Sequence, residues 1–327
     1  MILVTGGSGF IGSNLVGALS ETGARVSICD ILGIGNKWLN IAKHEVDEIV
    51  APESLDDILV RRRGEISFVY HIGAVSSTTE TNVDLILDSN LKFSQRIWRW
   101  CSQHRVPLVY ASSAATYGDG RQGFSDSQDR GYLATLRPTN PYGWSKHLFD
   151  RWVAREVDQG RRQPPFWAGL KFFNVYGPNE YHKEGMRSAV TRAYADAVAE
   201  RPVTLFRSHH PDYKDGEQKR DFVYVKDCVK VILWLSQHTP PSGIYNVGTG
   251  RAQTWLDLMA ALYASVDRAP NIHWVDTPPE LRVGYQYLTQ ADMTKLRTAG
   301  YTDRLASVDE GVSDYVKNFL SKKDPYR

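Results

Sequence analysis

Cysteine is scarce in this chain, with only three among 327 residues. Cys29, Cys101 and Cys228 lie far apart in apolar surroundings, and their number is odd. This pattern argues against a disulfide framework and against a zinc site, and we expect no bound metal. Small buried thiols are typical of proteins in a reducing compartment, which favours the cytoplasm.

The chain also lacks a net charge and a long apolar run. Lys and Arg number 39 against 37 Asp and Glu, a formal charge of +2, so nucleic acid is not an expected partner. The short basic run at residues 61–63 is interpreted as a solvated helix end. No apolar run approaches the ~18 residues that cross a bilayer, and no membrane contact is expected. The first strand is predicted to begin at Ile2, which leaves no room for a signal peptide.

The first half of the sequence alternates between strand and helix patterns. Short apolar runs follow amphipathic segments, as they do in βαβ units. The predicted strands are residues 2–5, 25–30, 66–74, 106–112 and 166–173, and the predicted helices are residues 10–22, 84–104 and 142–157. This alternation predicts an α/β fold: a Rossmann-type, doubly wound parallel sheet with helices on both faces.

A glycine-rich turn, Thr5-Gly-Gly-Ser-Gly-Phe-Ile-Gly12, joins the first predicted strand to the first predicted helix. Gly6, Gly9 and Gly12 would permit a tight turn and a close approach of the backbone to a pyrophosphate. The N–H groups at the start of the helix would then face the phosphates. A strand–turn–helix context of this kind predicts a dinucleotide-binding site, although an ordinary glycine turn is the alternative.

Two charged residues follow the second predicted strand and bear on the identity of the dinucleotide. Asp30 ends the strand where an acidic residue can bind the hydroxyls of the adenosine ribose, which favours NAD. Lys37 follows shortly afterwards and could instead pair with a 2′-phosphate, which favours NADP. The residues alone leave both cofactors open.

Tyr142 and Lys146 are four residues apart on a predicted helix and therefore share one face. We predict that the Lys146 ammonium lowers the pKa of the Tyr142 phenol from its reference of about 10. Tyr142 would then transfer a proton to or from a substrate hydroxyl, while Lys146 holds the nicotinamide ribose. Ser113, at the end of an apolar run, would bind the substrate oxygen beside Tyr142. The alternative is a surface tyrosine and a polar residue at a strand end.

These motifs together resemble the extended short-chain dehydrogenase/reductase proteins, most of which act on nucleotide sugars. The resemblance covers essentially the whole chain. It is carried by the glycine turn, by Ser113, by Tyr142-x-x-x-Lys146 and by further motifs: Gly73-Ala-Val-Ser-Ser-Thr-Thr-Glu80, Tyr110-Ala-Ser-Ser-Ala-Ala-Thr-Tyr-Gly118, Phe172-Phe-Asn-Val-Tyr-Gly-Pro178 followed by His182-Lys183, Lys219-Arg-Asp-Phe-Val-Tyr-Val225 and Thr289-Gln-Ala-Asp292.

Within that family the resemblance implies an epimerase that inverts one carbinol carbon in the side chain of an ADP-linked heptose. It implies transient oxidation and re-reduction with tightly held NADP, and Lys183 as a second acid/base that faces Tyr142 across the substrate. It also implies a cytoplasmic homopentamer that serves lipopolysaccharide core synthesis. The family's domain plan gives a dinucleotide-binding domain at residues 1–172, 223–250 and about 290–310, and a smaller α/β substrate-binding domain at residues 173–222, 251–289 and 311–327.

The resemblance assigns further residues to the two ligands. Cofactor contacts are expected from Phe10, Ile11, Ile31, Ile72, Gly73, Ala74, Val75, Ser76, Val175 and Lys183. Substrate contacts are expected from Ser76, Ser77, Asn174, Arg192, Arg220 and Tyr285, with Arg220 as a bidentate partner of the diphosphate.

Two other functions are compatible with these residues. A nucleotide-sugar 4-epimerase would share Ser113, Tyr142 and Lys146 but would not need Lys183. A cofactor-binding protein without catalysis would not need Tyr142. The chain departs from the usual family pattern at Ser89, Gly185 and Arg192 and in a polar insertion at residues 209–219.

Overall fold

A computed structural model describes residues 1–282 and 285–327 of the chain. It contains thirteen strands, most of them short. They are β1 (Ile2–Thr5), β2 (Val26–Cys29), β3 (Glu48–Val50), β4 (Phe68–His71), β5 (Leu108–Ser113), β6 (Trp167–Phe172), β7 (Asn174–Tyr176), β8 (Val203–Phe206), β9 (Lys219–Arg220), β10 (Phe222–Tyr224), β11 (Gly243–Val247), β12 (Gln253–Thr254) and β13 (Ile272–Val275).

Within the described residues, twelve α-helices connect or cover these strands. They are α1 (Phe10–Ser20), α2 (Leu55–Arg61), α3 (Val83–Leu87), α4 (Phe93–His104), α5 (Arg130–Thr135), α6 (Pro141–Asp158), α7 (Ala189–Val198), α8 (Val225–His238), α9 (Trp255–Ser265), α10 (Pro279–Arg282), α11 (Thr294–Thr298) and α12 (Val308–Tyr315). A π turn at Asp88–Lys92 joins α3 to α4, so the predicted helix at residues 84–104 is one nearly continuous helical segment.

Seven of the strands form one parallel sheet in the order β11-β6-β5-β4-β1-β2-β3. The chain crosses over after β3 and continues on the other side of β1, which is the doubly wound arrangement. The predicted fold class is therefore confirmed. β11 extends the sheet beyond β6, whereas β10 lies outside it and pairs with β7. β3 was not predicted, because three residues give too short a pattern.

Both faces of the sheet are buried. Neighbouring residues of each strand point to opposite sides, so every strand contributes side chains to a core on each face. Val4 of β1 packs into a core with residues of α1 and α8, while Leu3 packs into a second core with residues of α2, α4 and α6. Trp98, Trp152 and Trp167 lie in this second core, where Trp98 meets the other two edge-on.

A third core lies apart from the sheet and is built mainly from α7, α9 and α12. Its apolar side chains include Val190, Leu262 and Val312. Three short strand pairs accompany it, namely β7–β10, β9–β12 and β8–β13. The division into two domains at the residue boundaries given above remains our proposal.

No helix in residues 1–282 and 285–327 has both the length and the apolar character that a bilayer span requires.

A buried ion pair fixes α6 against the sheet. Asp150 of α6 and Lys171 of β6 are both 0% exposed, and their nearest charged atoms lie 3.6 Å apart. Asp150 also accepts a hydrogen bond from Ser112 Oγ at 2.7 Å. Lys171 Nζ donates to Thr116 Oγ1 at 2.9 Å and lies 4.2 Å from the centre of the Tyr117 ring. Each charge therefore has several partners that replace water.

Replacing Lys171 by Met should lower the free energy of unfolding by about 3–5 kcal/mol, since it leaves the Asp150 carboxylate buried without its cation. Urea unfolding of the two proteins measures this difference. The double variant Lys171→Met/Asp150→Asn removes both charges and should recover part of the loss. Equal stability of Lys171→Met and the wild type would contradict the importance of the pair.

Candidate active site

The glycine turn brings two loops into direct backbone contact at the carboxyl end of the sheet. Gly6 has φ +68°, and a Cβ placed there would lie 2.4 Å from Gly73 Cα. A Cβ on Gly12 would lie 2.1 Å from the Gly6 carbonyl oxygen. Gly9 is the N-cap of α1 and offers no side chain to its first N–H groups, so these donors remain open to an anion. This cradle fits a pyrophosphate.

Asp30 is fixed close to the glycine turn. It accepts hydrogen bonds from both the backbone N–H, at 2.9 Å, and the hydroxyl of Ser8. On its other oxygen it pairs with Lys37 Nζ at 2.8 Å, and the same ammonium donates to the Ile31 carbonyl at 2.6 Å. The predicted acid and the predicted cation therefore stand side by side, where both can face an adenosine ribose.

One elongated cavity of about 470 Å³ runs from the glycine turn to Tyr142. Most of the predicted cofactor and catalytic residues line it: Gly6, Gly9, Phe10, Ile11, Gly12, Asp30, Lys37, Ile72, Gly73, Ala74, Ser76, Ser77, Ser113, Tyr142, Lys146, Val175 and Lys183.

Two predicted cofactor residues do not line the cavity. Ile31 is 59% exposed, although its N–H bonds to Asp30 at 2.8 Å. Val75 turns to Asn90, which accepts from the Val75 N–H at 2.8 Å and donates to the Val75 carbonyl at 2.9 Å. Asn90 also reaches Ser145 on α6 at 3.0 Å. Val75 thus holds the loop that carries Ser76 in place.

Tyr142 lies in the first turn of α6. Asn140 caps this helix by accepting from the Gly143 N–H at 2.8 Å, and Pro141 follows at a position where no N–H is needed. Tyr142 and Ser113 line the same cavity, as predicted for two groups that hold one substrate oxygen. Burial raises the pKa of Tyr142, and the nearby Ser113 side chain opposes this only in part. The prediction that Lys146 lowers the pKa of Tyr142 below its ordinary value is therefore wrong in this structure.

Lys146 lines the cavity and bonds to the backbone of β5. Its ammonium donates to the Ala111 carbonyl at 2.9 Å, and the side chain is almost fully buried. Burial lowers the pKa of Lys146 to about 8, although the nearby Asp150 carboxylate acts in the opposite direction.

Lys183 lies in the short helical turn Tyr181–Met186, outside the central sheet. Its Nζ is 5.2 Å from the centre of the Phe10 ring, and its side chain lines the same cavity as Tyr142. Burial lowers the pKa of Lys183, which brings the amine closer to a form that can accept a proton. The structure therefore brings two groups capable of proton transfer into one cavity.

Three predicted substrate residues line a second cavity of about 430 Å³: Arg192, Arg220 and Tyr285. Arg220 is 7% exposed, and its guanidinium stacks 5.3 Å from the centre of the Tyr285 ring and 6.0 Å from that of Trp255. Within the described residues no carboxylate pairs with it, and burial lowers its pKa. A buried guanidinium that no carboxylate neutralises fits a diphosphate. Asn174 lies on the exposed side of β7 and lines neither cavity.

Several residues that line the first cavity were not predicted. They are Ala111, Ser112, Phe172, Phe173, His182 and Met186. Ala111 and Ser112 precede the predicted Ser113 on β5, so strand geometry could have indicated them. His182 contacts Asn40, with 3.0 Å between its Nδ1 and the amide nitrogen, and no local pattern signals this contact between distant segments.

Comparison with known proteins agrees with this geometry. The model of the NAD dependent epimerase/dehydratase family matches residues 2–248. The chain belongs to this family. The predicted resemblance to nucleotide-sugar epimerases of the extended short-chain dehydrogenase/reductase type is thereby confirmed.

Similar proteins share the whole length of this epimerase-family chain. ADP-L-glycero-D-manno-heptose-6-epimerase of Nitratidesulfovibrio vulgaris strain DP4 is 45% identical over 329 residues, covering 100% of both chains. The crystal structure of the Helicobacter pylori enzyme of the same name has a TM-score of 0.78 at 27% identity, covering 97% of this chain and 95% of that one. Thermus thermophilus UDP-glucose 4-epimerase in complex with NAD has a TM-score of 0.70 at 26% identity, covering 96% and 97%.

Family membership also decides the class of the protein. It is an enzyme, an isomerase that acts on a nucleotide sugar with a nicotinamide dinucleotide, as predicted. The glycine cradle, the Asp30–Lys37 pair and the buried Lys146 are the parts of this chain that fit such a dinucleotide.

Replacing Gly12 by Ala should reduce bound dinucleotide by about tenfold or more, because the added Cβ would force the Gly6 carbonyl out of the turn. The dinucleotide content of the purified protein measures the effect. Gly64→Ala is the matched control, since a Cβ there meets nothing within 4 Å. Normal dinucleotide content in Gly12→Ala would disprove the proposed role of the cradle.

Proposed function

We propose that this enzyme interconverts the two C6 epimers of ADP-glycero-D-manno-heptose, forming the L-glycero product from the D-glycero substrate. The observation that carries the proposal is the presence of two proton-transferring side chains, Tyr142 and Lys183, in one cavity with the glycine cradle. Full-length relatives named for this activity support the choice of sugar.

Inversion of a carbinol carbon by transient oxidation requires that a hydride leave one face of the carbon and return to the opposite face while the oxygen stays bonded to it, so the proton of that oxygen must be handled on both sides of the carbon. When bound, the dinucleotide would accept a hydride from the carbon and later return it. Tyr142, with Ser113, would hold the substrate oxygen on one side and take or give its proton. Lys183 would do the same on the other side.

Lys146 would fix the position of the nicotinamide relative to Tyr142. Its ammonium is anchored at Ala111 and lies one helical turn after Tyr142, on the same face of α6. From there it can bind the hydroxyls of the nicotinamide ribose. The nicotinamide would then lie next to the Tyr142 phenol, where the carbinol carbon must be placed.

The second cavity is the proposed site of the ADP group. Arg220 would bind the diphosphate, and Tyr285 would cover the nucleotide. Arg192, which lies on α7 at the same cavity, would add a second positive charge. Asn174, the first residue of β7, is proposed to contact the sugar.

We further propose NADP as the cofactor, because Lys37 stands at the ribose end of the cavity beside Asp30. We propose a cytoplasmic location, because all three cysteines are buried free thiols. A homopentamer and a role in lipopolysaccharide core synthesis follow from the resemblance alone.

The direct test incubates the purified protein with each C6 epimer separately, without added cofactor, and follows the ratio of epimers by NMR. Both reactions should converge on one mixture. The second candidate is a 4-epimerase, which the similarity to UDP-glucose 4-epimerase favours. Conversion of UDP-glucose without conversion of either heptose would establish that alternative.

Tyr142→Phe should lower kcat for the heptose by about 10²–10⁴-fold, because the proton carrier on one side is lost. Its dinucleotide content should stay normal, since the phenol hydroxyl makes no contact with the phosphate cradle. Tyr132→Phe removes a hydroxyl that hydrogen-bonds outside the cavity and should keep full activity. An active Tyr142→Phe protein would refute the assigned role and would favour a non-catalytic function for this residue.

Lys183→Met should lower kcat by a similar factor of about 10²–10⁴, because one face of the carbon then lacks an acid/base. Steady-state rates in both directions measure this loss. Lys322→Met, at an exposed position, is the control. Full activity in Lys183→Met would show that a single base suffices, as in the 4-epimerase alternative.

A further inference from the structure

His182 lines the elongated cavity that runs from the glycine turn to Tyr142, yet the proposed reaction gives it no role. It is half-buried in the turn Tyr181–Met186, one residue before Lys183. Its Nδ1 lies 3.0 Å from the amide nitrogen of Asn40. Within residues 1–282 and 285–327, no hydrogen-bond partner is found for its Nε2. The second ring nitrogen is therefore available to a ligand in the cavity.

Asn40 decides which ring nitrogen carries the proton. The Asn40 side chain is fully buried, and its amide nitrogen also donates to the Ser8 carbonyl at 2.9 Å. A backbone carbonyl can only accept, so this atom of Asn40 must belong to the NH₂ group. The same NH₂ group can only donate to His182, so Nδ1 is the acceptor and the proton of the neutral imidazole lies on Nε2. Burial, with the Lys37 and Lys183 ammonium groups nearby, lowers the pKa of His182 to about 4, so the ring is neutral near pH 7.

The contact with Asn40 also places His182 at the adenosine-ribose end of the cavity. Asn40 ends a short 3₁₀ turn that begins at Lys37, and residues three apart in such a turn lie on one side of it, about 6 Å apart along its axis. Lys37 Nζ bonds to Asp30 at 2.8 Å, and the Ser8 N–H donates to the other oxygen of Asp30 at 2.9 Å. A chain of hydrogen bonds thus joins His182 through Asn40 and Ser8 to Asp30.

We propose that His182 is a further cofactor-binding residue, and that its Nε2–H donates to the 2′-phosphate of the adenosine ribose beside Lys37. A phosphate presents three strong acceptor oxygens. The Lys37 ammonium already bonds to Asp30, whose charge offsets its own, and to the Ile31 carbonyl, so a phosphate at this position needs a further donor. The inference rests on the proposed use of NADP, but not on the identity of the sugar or on the role of Lys183.

The test measures which dinucleotide the protein retains. Purified protein is equilibrated with an excess of NAD and NADP in equal amounts, free ligand is removed, and the bound ratio is determined by mass spectrometry. His182→Asn keeps an oxygen that can accept from Asn40 near the position of Nδ1, but its side chain is too short to supply the Nε2–H. The bound ratio of NADP to NAD should fall by about tenfold, the effect of losing one hydrogen bond to a charged group.

His182→Gln is the matched variant, because its amide nitrogen can occupy the position of Nε2, and it should retain most of the wild-type preference. His273→Asn, at an exposed position, should leave the ratio unchanged. An unchanged ratio in His182→Asn would overturn the proposal. A loss confined to His182→Gln would do the same, since it would make the histidine a structural partner of Asn40 only. The ratio does not depend on the folded fraction, so partial unfolding of a variant does not obscure the result.

The wild-type ratio tests the choice of cofactor separately. If the wild type and His182→Asn both retain NADP over NAD to the same degree, NADP stands as the cofactor and only the role of His182 is refuted. If the wild type retains NAD over NADP, the proposed cofactor is wrong and the proposed role of His182 fails with it. Neither result bears on the epimerisation of heptose, because no substrate is present.

Discussion

The active site depends on how α6 is held against the sheet. The helix carries Tyr142 and Lys146 on one face, and a few ångströms of sliding would remove both from the cavity. The contact that prevents sliding is polar: Asp150 meets Lys171 and Ser112 of the neighbouring strands, and Lys146 bonds to the Ala111 carbonyl. Apolar packing alone tolerates small shifts, whereas buried charges with fixed partners do not. The ion pair and its hydrogen bonds thus hold α6 in one register against the sheet.

Burial acts on the two proposed proton carriers in a complementary way. It raises the pKa of the Tyr142 phenol and lowers the pKa of the Lys183 amine, and both effects favour the neutral form. A neutral phenol is an acid and a neutral amine is a base, so burial in one cavity favours opposite roles for them. The Ser113 side chain opposes the upward shift of the Tyr142 pKa only in part. The environment, rather than one neighbouring cation, sets the chemistry.

The predicted site residues differ in how far sequence could locate them. The glycine turn, Asp30 and the Tyr142–Lys146 pair are local patterns, and the structure brings them together. Val75 and Ile31 lie inside the predicted cofactor-binding segments. The Val75 backbone, however, bonds to Asn90, and Ile31 is exposed to solvent. The orientation of a loop side chain depends on distant partners, which no short pattern encodes. The expected pKa effect of Lys146 failed because burial of the phenol raises the pKa of Tyr142, and burial depends on packing that a four-residue spacing does not encode.

The sequence by itself determined the doubly wound sheet, and it indicated the glycine turn and the proposed proton carriers. Periodicity, glycine spacing and a four-residue helical interval are properties of adjacent residues, so they can be predicted without a fold. Only the tertiary structure decided that Lys183 shares a cavity with Tyr142, that Arg220 lies in a separate one, and that His182 contacts Asn40. Those facts depend on burial and on contacts between segments far apart in the chain, because desolvation and proximity arise only once the chain has packed.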